Sequence, residues 1–288
     1  MEDARVNISI ASYSFHGLLA AGKIDAFGYL ESCKYRYGLD TADYWNGLIG
    51  TTEEDYLLKV RQEVEAREMR IVNYHVDGVH LWEDDAEARE RNYRNALVHL
   101  QAAALLGAKT VRFDTGGKLA LMTPEQGDYL VTRYQEYCRF AHDNGFHVGP
   151  ENHWGLSLIA DNMETLARAI DHPAYGILLH IGHWEDGDPE GGDRRLAPWT
   201  VHTHVDARIT RTCLAERMQL LLDAGYTGCW GVEHHTAQNE YAEVACQLAE
   251  VRRVLARKRW EAQDAETLSR KETKPGNPLL TLEQEGRA

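Results

Sequence analysis

YGILLHIGHWEDGDPEGGDRRLAPWTVHTHVDA, residues 175–207, is the stretch on which the fold turns. Tyr175 to Ile181 is a short apolar run bounded by polar residues and reads as a buried strand. A polar, Gly-rich loop follows from Glu185 to Arg195, and Thr200 to Ala207 reads as the next strand. The same rhythm extends in both directions. Upstream, strands are expected at Val6–Phe15, Gly38–Asp43, Arg70–Val76, Lys109–Thr115 and Phe146–Asn152. Helices are expected at Lys23–Tyr37, from Thr51 onward with a Thr cap and acidic first turn, at Glu87–Leu106, from Thr123–Pro124 to Asn144–Gly145, and at Asn162–Ile170. Gly107 and Gly145 are the stop signals of the two long ones. Downstream lie a helix at Thr212–Ala224, strand eight at Gly228–Glu233 and a last helix at Tyr241–Arg257.

Eight strand–helix units in about 257 residues, about 31 per unit, match one closed α/β (β/α)8 TIM barrel. A doubly wound open sheet is the rival. Strand one is not followed by GxGxxG, and the chain has no P-loop, which counts against a nucleotide-binding sheet. Residues 258–288 differ in character: charged, with Lys274-Pro275-Gly276-Asn277-Pro278 and then Leu279-Leu280-Thr281-Leu282. They read as a C-terminal extension of the 1–257 barrel, either a flexible terminus or a clasp on a neighbouring subunit.

Composition narrows the function. The 288 residues hold 31 Lys and Arg against 45 Asp and Glu, a formal charge of -14. Such a surface repels phosphate backbones and argues against nucleic-acid partners. No window nears the ~20 apolar residues of a membrane span. The opening Met1-Glu2-Asp3-Ala4-Arg5 lacks the basic and apolar regions of a signal peptide, so a cytoplasmic location is expected. The five cysteines (33, 138, 213, 229, 246) form no CxxC pair and read as reduced thiols.

In a barrel, polar residues at the C-terminal strand ends face one pocket. Strand five ends in Glu151-Asn152-His153-Trp154 and strand six in His180-Ile181-Gly182-His183-Trp184. Strand seven carries His202-Thr203-His204-Val205-Asp206 and strand eight ends in Glu233-His234-His235. Four successive strands thus bring carboxylates and imidazoles to one quadrant, a mixed N and O donor set that suits a divalent transition metal. A lone strand-end histidine is more often structural; four in a row are not easily so. His75, Arg112, His147 and His153 are candidates to line the same mouth, His16 to reach it from strand one, and Arg208 to fix a substrate oxygen. Trp154, Trp184, Trp82 and Tyr13 can stack on a ring or merely pack.

Three runs carry a resemblance: Pro150-Glu151-Asn152-His153-Trp154-Gly155, His202-Thr203-His204-Val205-Asp206-Ala207-Arg208 and Gly231-Val232-Glu233-His234. With Leu106-Gly107-Ala108 and Val111-Arg112-Phe113-Asp114, the chain from residue 6 to about 257 resembles the sugar phosphate isomerase/epimerase superfamily with the xylose isomerase-like barrel. The resemblance implies one divalent ion held by Glu, Asp, His and Glu on strands five to eight. Glu151, His204 and Glu233 match three of these positions; His180 stands where Asp is usual. A neutral imidazole there brings the site's charge with a 2+ ion near zero and softens it. Manganese is the first expectation, with zinc, iron or cobalt as alternatives.

The resemblance also implies chemistry. Glu151 and Glu233 would be the acid–base pair acting on a proton α to a carbonyl, through a metal-stabilised enediolate. His183 falls where epimerases place a substrate-contacting histidine; His75, Arg112, Trp154 and Arg208 complete the expected substrate contacts. The expected substrate is a small carbohydrate, the reaction isomerisation or epimerisation, and the assembly a homo-oligomer. A leaving group β to the carbonyl would make the enzyme a lyase. Relatives that deglycosylate 3-keto-glycosides add a catalytic histidine, here His153, and a small second subunit. Two further readings remain: an endonuclease IV-like nuclease, which the acidic surface disfavours, and a non-catalytic scaffold, which His180 in place of Asp allows.

Overall fold

Eight parallel strands close on themselves. They are β1 (Ile8–Ile10), β2 (Thr41–Trp45), β3 (Arg70–Trp82), β4 (Thr110–Gly116), β5 (His147–Gly149), β6 (Ile177–His180), β7 (Thr200–Val205) and β8 (Cys229–Val232). This is a computed structural model, and it describes residues 7–272. Ladders join β2-β3-β4-β5 and β6-β7-β8-β1. Single parallel bridges at Ala11–Asp43, Val148–Tyr175 and Glu151–Leu178 join the two halves. The fold is the (β/α)8 barrel that the eightfold rhythm predicts. The chain divides into two compact units between Val251 and Arg252, and the barrel lies in the first. No helix among the described residues is long and apolar enough to cross a membrane.

Local chemistry sets the elements. Asp85 caps the helix Ala86–Leu106, which ends at Gly107 with φ 73°. Thr123 and Gln126 form a capping box ahead of Pro124, and Gly145, φ 73°, stops that helix. The Thr cap expected near Thr51 is not made: Glu53 is the N-cap of helix Glu54–Ala66, without a side-chain bond. The expected loop at Glu185–Arg195 holds the helix Pro189–Leu196. Asp188 accepts from Gly191 N at 2.9 Å, and Pro at the first helical position reinforces the start. Those signals outweigh Gly191 and Gly192; a Cβ on Gly192 would lie 2.7 Å from the Trp184 ring. The last helix is Glu240–Glu272 rather than ending at Arg257. Residues 258–272 contain no Gly or Pro, and Arg257–Glu261 is an i,i+4 pair at 2.8 Å. Residues 273–288, with all of the expected extension's Pro and Leu run, lie outside the described residues.

The barrel interior is polar where the site sits. Side chains alternate along each strand, so His202 and His204 of β7, and Asn73 and His75 of β3, face inward together with Ser9, Asp43 and Arg112, all buried. Gly231 of β8 makes room for them. A Cβ there would stand 2.5 Å from Thr203 O, 3.0 Å from His204 Cδ2 and 3.1 Å from Asp43 Oδ2.

Candidate functional site

The ends of four strands place four donors around one point. Glu151 lies two residues past β5, His180 closes β6, His204 stands in β7, and Glu233 follows β8. Glu151 Oε1 is 3.2 Å from His180 Nδ1 and 3.3 Å from His204 Nδ1. Glu233 Oε2 is 3.5 Å from His180 Nδ1 and 3.4 Å from His204 Nδ1. Tetrahedral bonds of about 2.0–2.2 Å would put neighbouring donors about 3.3–3.6 Å apart. The four edges therefore fit a divalent ion at their centre. All four residues are buried, and His204 Nδ1, aimed at both carboxylates, has no hydrogen-bond partner.

Electrostatics call for a cation at the same point. Burial alone would raise both glutamates. Arg112, His204 and His180 outweigh it at Glu151, and His204, His235 and His180 do so at Glu233, holding both well below the usual carboxylate range. Burial opposes charge on His204, yet Glu233, Asp43 and Glu151 push its ring well above the usual imidazole value. The two carboxylates thus favour positive charge at the place they share with His204, a demand that a bound cation would meet.

Outer contacts fix each donor. Glu151 Oε2 is paired with Arg112 Nε at 3.0 Å. His204 Nε2 faces Asp43 Oδ2 at 3.3 Å. Asn152 donates to the carbonyls of His180 and His183 and accepts from His180 N at 2.7 Å. His235 Nε2 lies 3.0 Å from Glu233 Oε2. This shell of carboxylate and backbone partners is what orients metal-binding side chains.

A cavity of about 270 Å³ opens beside the donors. It is at the small end of ligand sites, which run to about 300–1,000 Å³. Of the expected substrate contacts, His75, Arg112 and His183 line it, as do His153, His180 and Glu233; Tyr13, Asp77 and His235 complete the wall. His183 Nδ1 and His153 Nδ1 have no hydrogen-bond partner. Burial, with His180 adjacent, pushes His183 down to about 4. At His153 burial is outweighed by Asp114 and Glu151, which push it up to about 9.

Other expected residues stand elsewhere. Trp154 is 40% exposed and packs edge-on against His80, ring centroids 4.1 Å apart, rather than lining the cavity. Arg208 also stays off the wall; its guanidinium donates to Gly182 O at 3.2 Å. His147 begins β5, so it lies at the opposite, N-terminal end of the barrel, beside Lys109 and Thr227. Trp184 is buried and donates to Asp193 at 2.9 Å, and Trp82 packs on Tyr129 and Arg89. His16 stacks on Tyr13 at 4.5 Å.

The sequence places His235 at the end of strand eight without assigning it a role, and it gives Asp43 and Asp77 none. His235 carried a signal, the Glu233-His234-His235 run with i,i+2 alternation. Asp77 did not, because β3 runs on to Trp82 instead of ending at Val76. Two other donor clusters occur among the described residues, Asp43-His202-His204 and Asp77-Asp114-His153. In the second, the Arg112 guanidinium already supplies the positive charge, with Nη1 at 2.9 Å from Asp77 and 3.0 Å from Asp114.

Comparison with known proteins adds a family and a fold. A family model described as xylose isomerase-like TIM barrel matches residues 35–258. No curated protein sequence matches the chain. Among solved structures, the 3-keto-D-glucoside 4-epimerase of E. coli is 13% identical, with 79% of this chain and 94% of that one covered at a TM-score of 0.66. The probable 3-DHS dehydratase of petrobactin synthesis from Bacillus anthracis is 15% identical over 85% and 98%, TM-score 0.66. A xylose isomerase-like TIM barrel protein from Mycobacterium smegmatis, in complex with magnesium, is 16% identical over 87% and 99%, TM-score 0.62. At these identities the likeness speaks for the fold.

Proposed function

The chain belongs to the xylose isomerase-like TIM barrel family, and from that premise we propose that it is a metal-dependent sugar or keto-sugar isomerase or epimerase. The observation that carries the reading is the Glu151–His180–His204–Glu233 cluster, with edges of 3.2–3.5 Å, beside a small polar cavity. Two imidazoles and two carboxylates favour a transition ion over magnesium; the resemblance puts manganese first, and the second imidazole brings zinc, iron or cobalt closer to it. When bound, such an ion polarises a substrate carbonyl and stabilises the negative charge that develops on its oxygen.

The chain's own groups move the proton. Glu233 lines the cavity and is the base that takes it from the carbon next to the carbonyl. Glu151 is its acid–base partner. Arg112 on its outer oxygen makes it the weaker base of the two, suited to releasing a proton rather than holding one. His153, kept protonated beside Asp114, supplies a proton at the substrate's oxygen side. A proton delivered by Glu151 to the same carbon on the opposite face inverts it; delivery to the neighbouring carbon, with the hydroxyl proton passing between the two oxygens, interconverts aldose and ketose. His183 and His75 orient hydroxyls, and the small cavity fits a monosaccharide-sized group.

A second reading, β-elimination from a keto-glycoside, is favoured by one feature. His153 and His183 both line the cavity, His183 with an unpartnered Nδ1 and His153 with its Nδ1 facing Asp114 at 3.5 Å, and either ring can assist a leaving oxygen. The dehydratase among the structural neighbours fits that chemistry.

The test is solvent exchange. Manganese-loaded protein in D2O, given ketohexoses and 3-keto-glucosides, is expected to place deuterium on the carbon next to the carbonyl, read by mass spectrometry, and to stop doing so after chelation. A released aglycone would select the lyase reading. No deuterium and no aglycone from any of these substrates would sink both.

A further inference from the structure

Below the four donors the barrel interior converges on a single carboxylate. Asp43 is fully buried in β2. Its Oδ1 meets Asn73 Nδ2 at 2.8 Å and His75 Nδ1 at 3.1 Å. Its Oδ2 meets Ser9 Oγ at 3.2 Å, His202 Nε2 at 2.7 Å and His204 Nε2 at 3.3 Å. An ionised carboxylate only accepts, so each of these partners donates. A neutral imidazole has one N–H and one lone pair; fixing where the hydrogen sits fixes where the lone pair points.

Two of the three rings then acquire a defined task. With its Nε2 hydrogen given to Asp43, His204 turns a bare Nδ1 toward Glu151 and Glu233. His75 Nδ1 stands nearer to Asp43 Oδ1, at 3.1 Å, than to Asn73 Nδ2, at 3.4 Å; with its hydrogen given to the carboxylate, the ring is left with a bare Nε2. That atom is buried and without a hydrogen-bond partner, and His75 lines the cavity. The two rings stand edge to face with centroids 5.1 Å apart, so the second lone pair lies one ring away from the metal position.

We propose that Asp43 is a positioning residue with two outputs: it presents the His204 Nδ1 lone pair to the metal and the His75 Nε2 lone pair to the substrate. The His75 nitrogen accepts a hydrogen bond from a substrate hydroxyl next to the metal-facing group. The ligand class is therefore a polyol carbonyl compound with a hydroxyl donor at that place. The first output rests on the metal reading above; the second does not depend on it.

The experiment has two parts. Long-range 1H–15N correlation spectra of the full chain labelled at histidine report each ring's tautomer. His75 is expected as the Nδ1–H form with Nε2 unprotonated, with or without zinc. His75 found as the Nε2–H form would overturn the proposal, and this needs no variant. In the second part Asp43→Asn is titrated with zinc against a chelating dye. Affinity is expected to fall by about 10–100-fold, the usual cost of losing a carboxylate behind a ligand histidine, and the His75 ring to lose its fixed tautomer. Affinity within about twofold of the parent protein, in a variant with the parent's circular dichroism, would overturn it too. If the parent protein binds no divalent metal, the reading under Proposed function fails, while the His75 tautomer still decides this one.

Discussion

Glu233→Gln is expected to lower turnover by about 10²–10⁴-fold, the range for loss of a positioned general base. The amide keeps the side chain's shape and one donor oxygen, so metal binding should weaken rather than vanish. Glu233 is the carboxylate to test because it lines the cavity, whereas the outer oxygen of Glu151 is held by Arg112 at 3.0 Å. The check is turnover and deuterium wash-in at saturating manganese, on the substrate that the parent protein exchanges. Wash-in by the variant at the parent's rate would remove Glu233 from the proton transfer.

Arg112→Met should produce the largest change in stability. The guanidinium is 3% exposed, and it pairs with Asp77, Asp114 and Glu151 while donating to Val76 O. Methionine fills similar volume but leaves three carboxylates without their cation. Breaking a buried pair from one side costs about 3–5 kcal/mol, which for a domain of this size is a fall in Tm of roughly 6–20 °C. The pH dependence has a definite sign. In the parent, Asp77 and Glu151 sit below their usual values, with Arg112 foremost among the groups that outweigh burial. Their contribution is fully present above the unfolded carboxylate range and is lost as pH falls through the depressed folded values. In the variant burial acts unopposed by Arg112, so protonation relieves it. The gap between the two proteins should be widest near about pH 7 and narrow toward about pH 4. Urea melts at both pH values decide this; a gap below about 1 kcal/mol at the higher pH, or one that widens on acidification, would contradict it.

What the sequence made legible was local. Short apolar runs, the Thr123-Pro124 start, and the stops at Gly107 and Gly145 are read from neighbours in the chain, and they give the alternation that closes the barrel. Glu151, His180, His204 and Glu233 stand among the polar residues of the strand ends, which barrel topology brings together, and the resemblance to the superfamily singled these four out. Asp43 could not be found that way. It looks like an ordinary polar residue in a short strand, and its meaning depends on His202, 159 residues away. Asp77 was hidden by a misjudged strand end. Trp154 and Arg208 show the converse limit, because sequence places them near the mouth but not the direction of their side chains. The helix at Pro189–Leu196 was missed because two glycines mask a sound N-terminal signal.

The central claim is a metal site built from Glu151, His180, His204 and Glu233. Elemental analysis of manganese-loaded, desalted protein beside its His180→Ala variant tests it most directly. A single equivalent of metal per chain, lost from the variant, is the result expected of a site in which His180 takes the place of the usual aspartate. No metal in the parent protein, or equal metal in both, would contradict it.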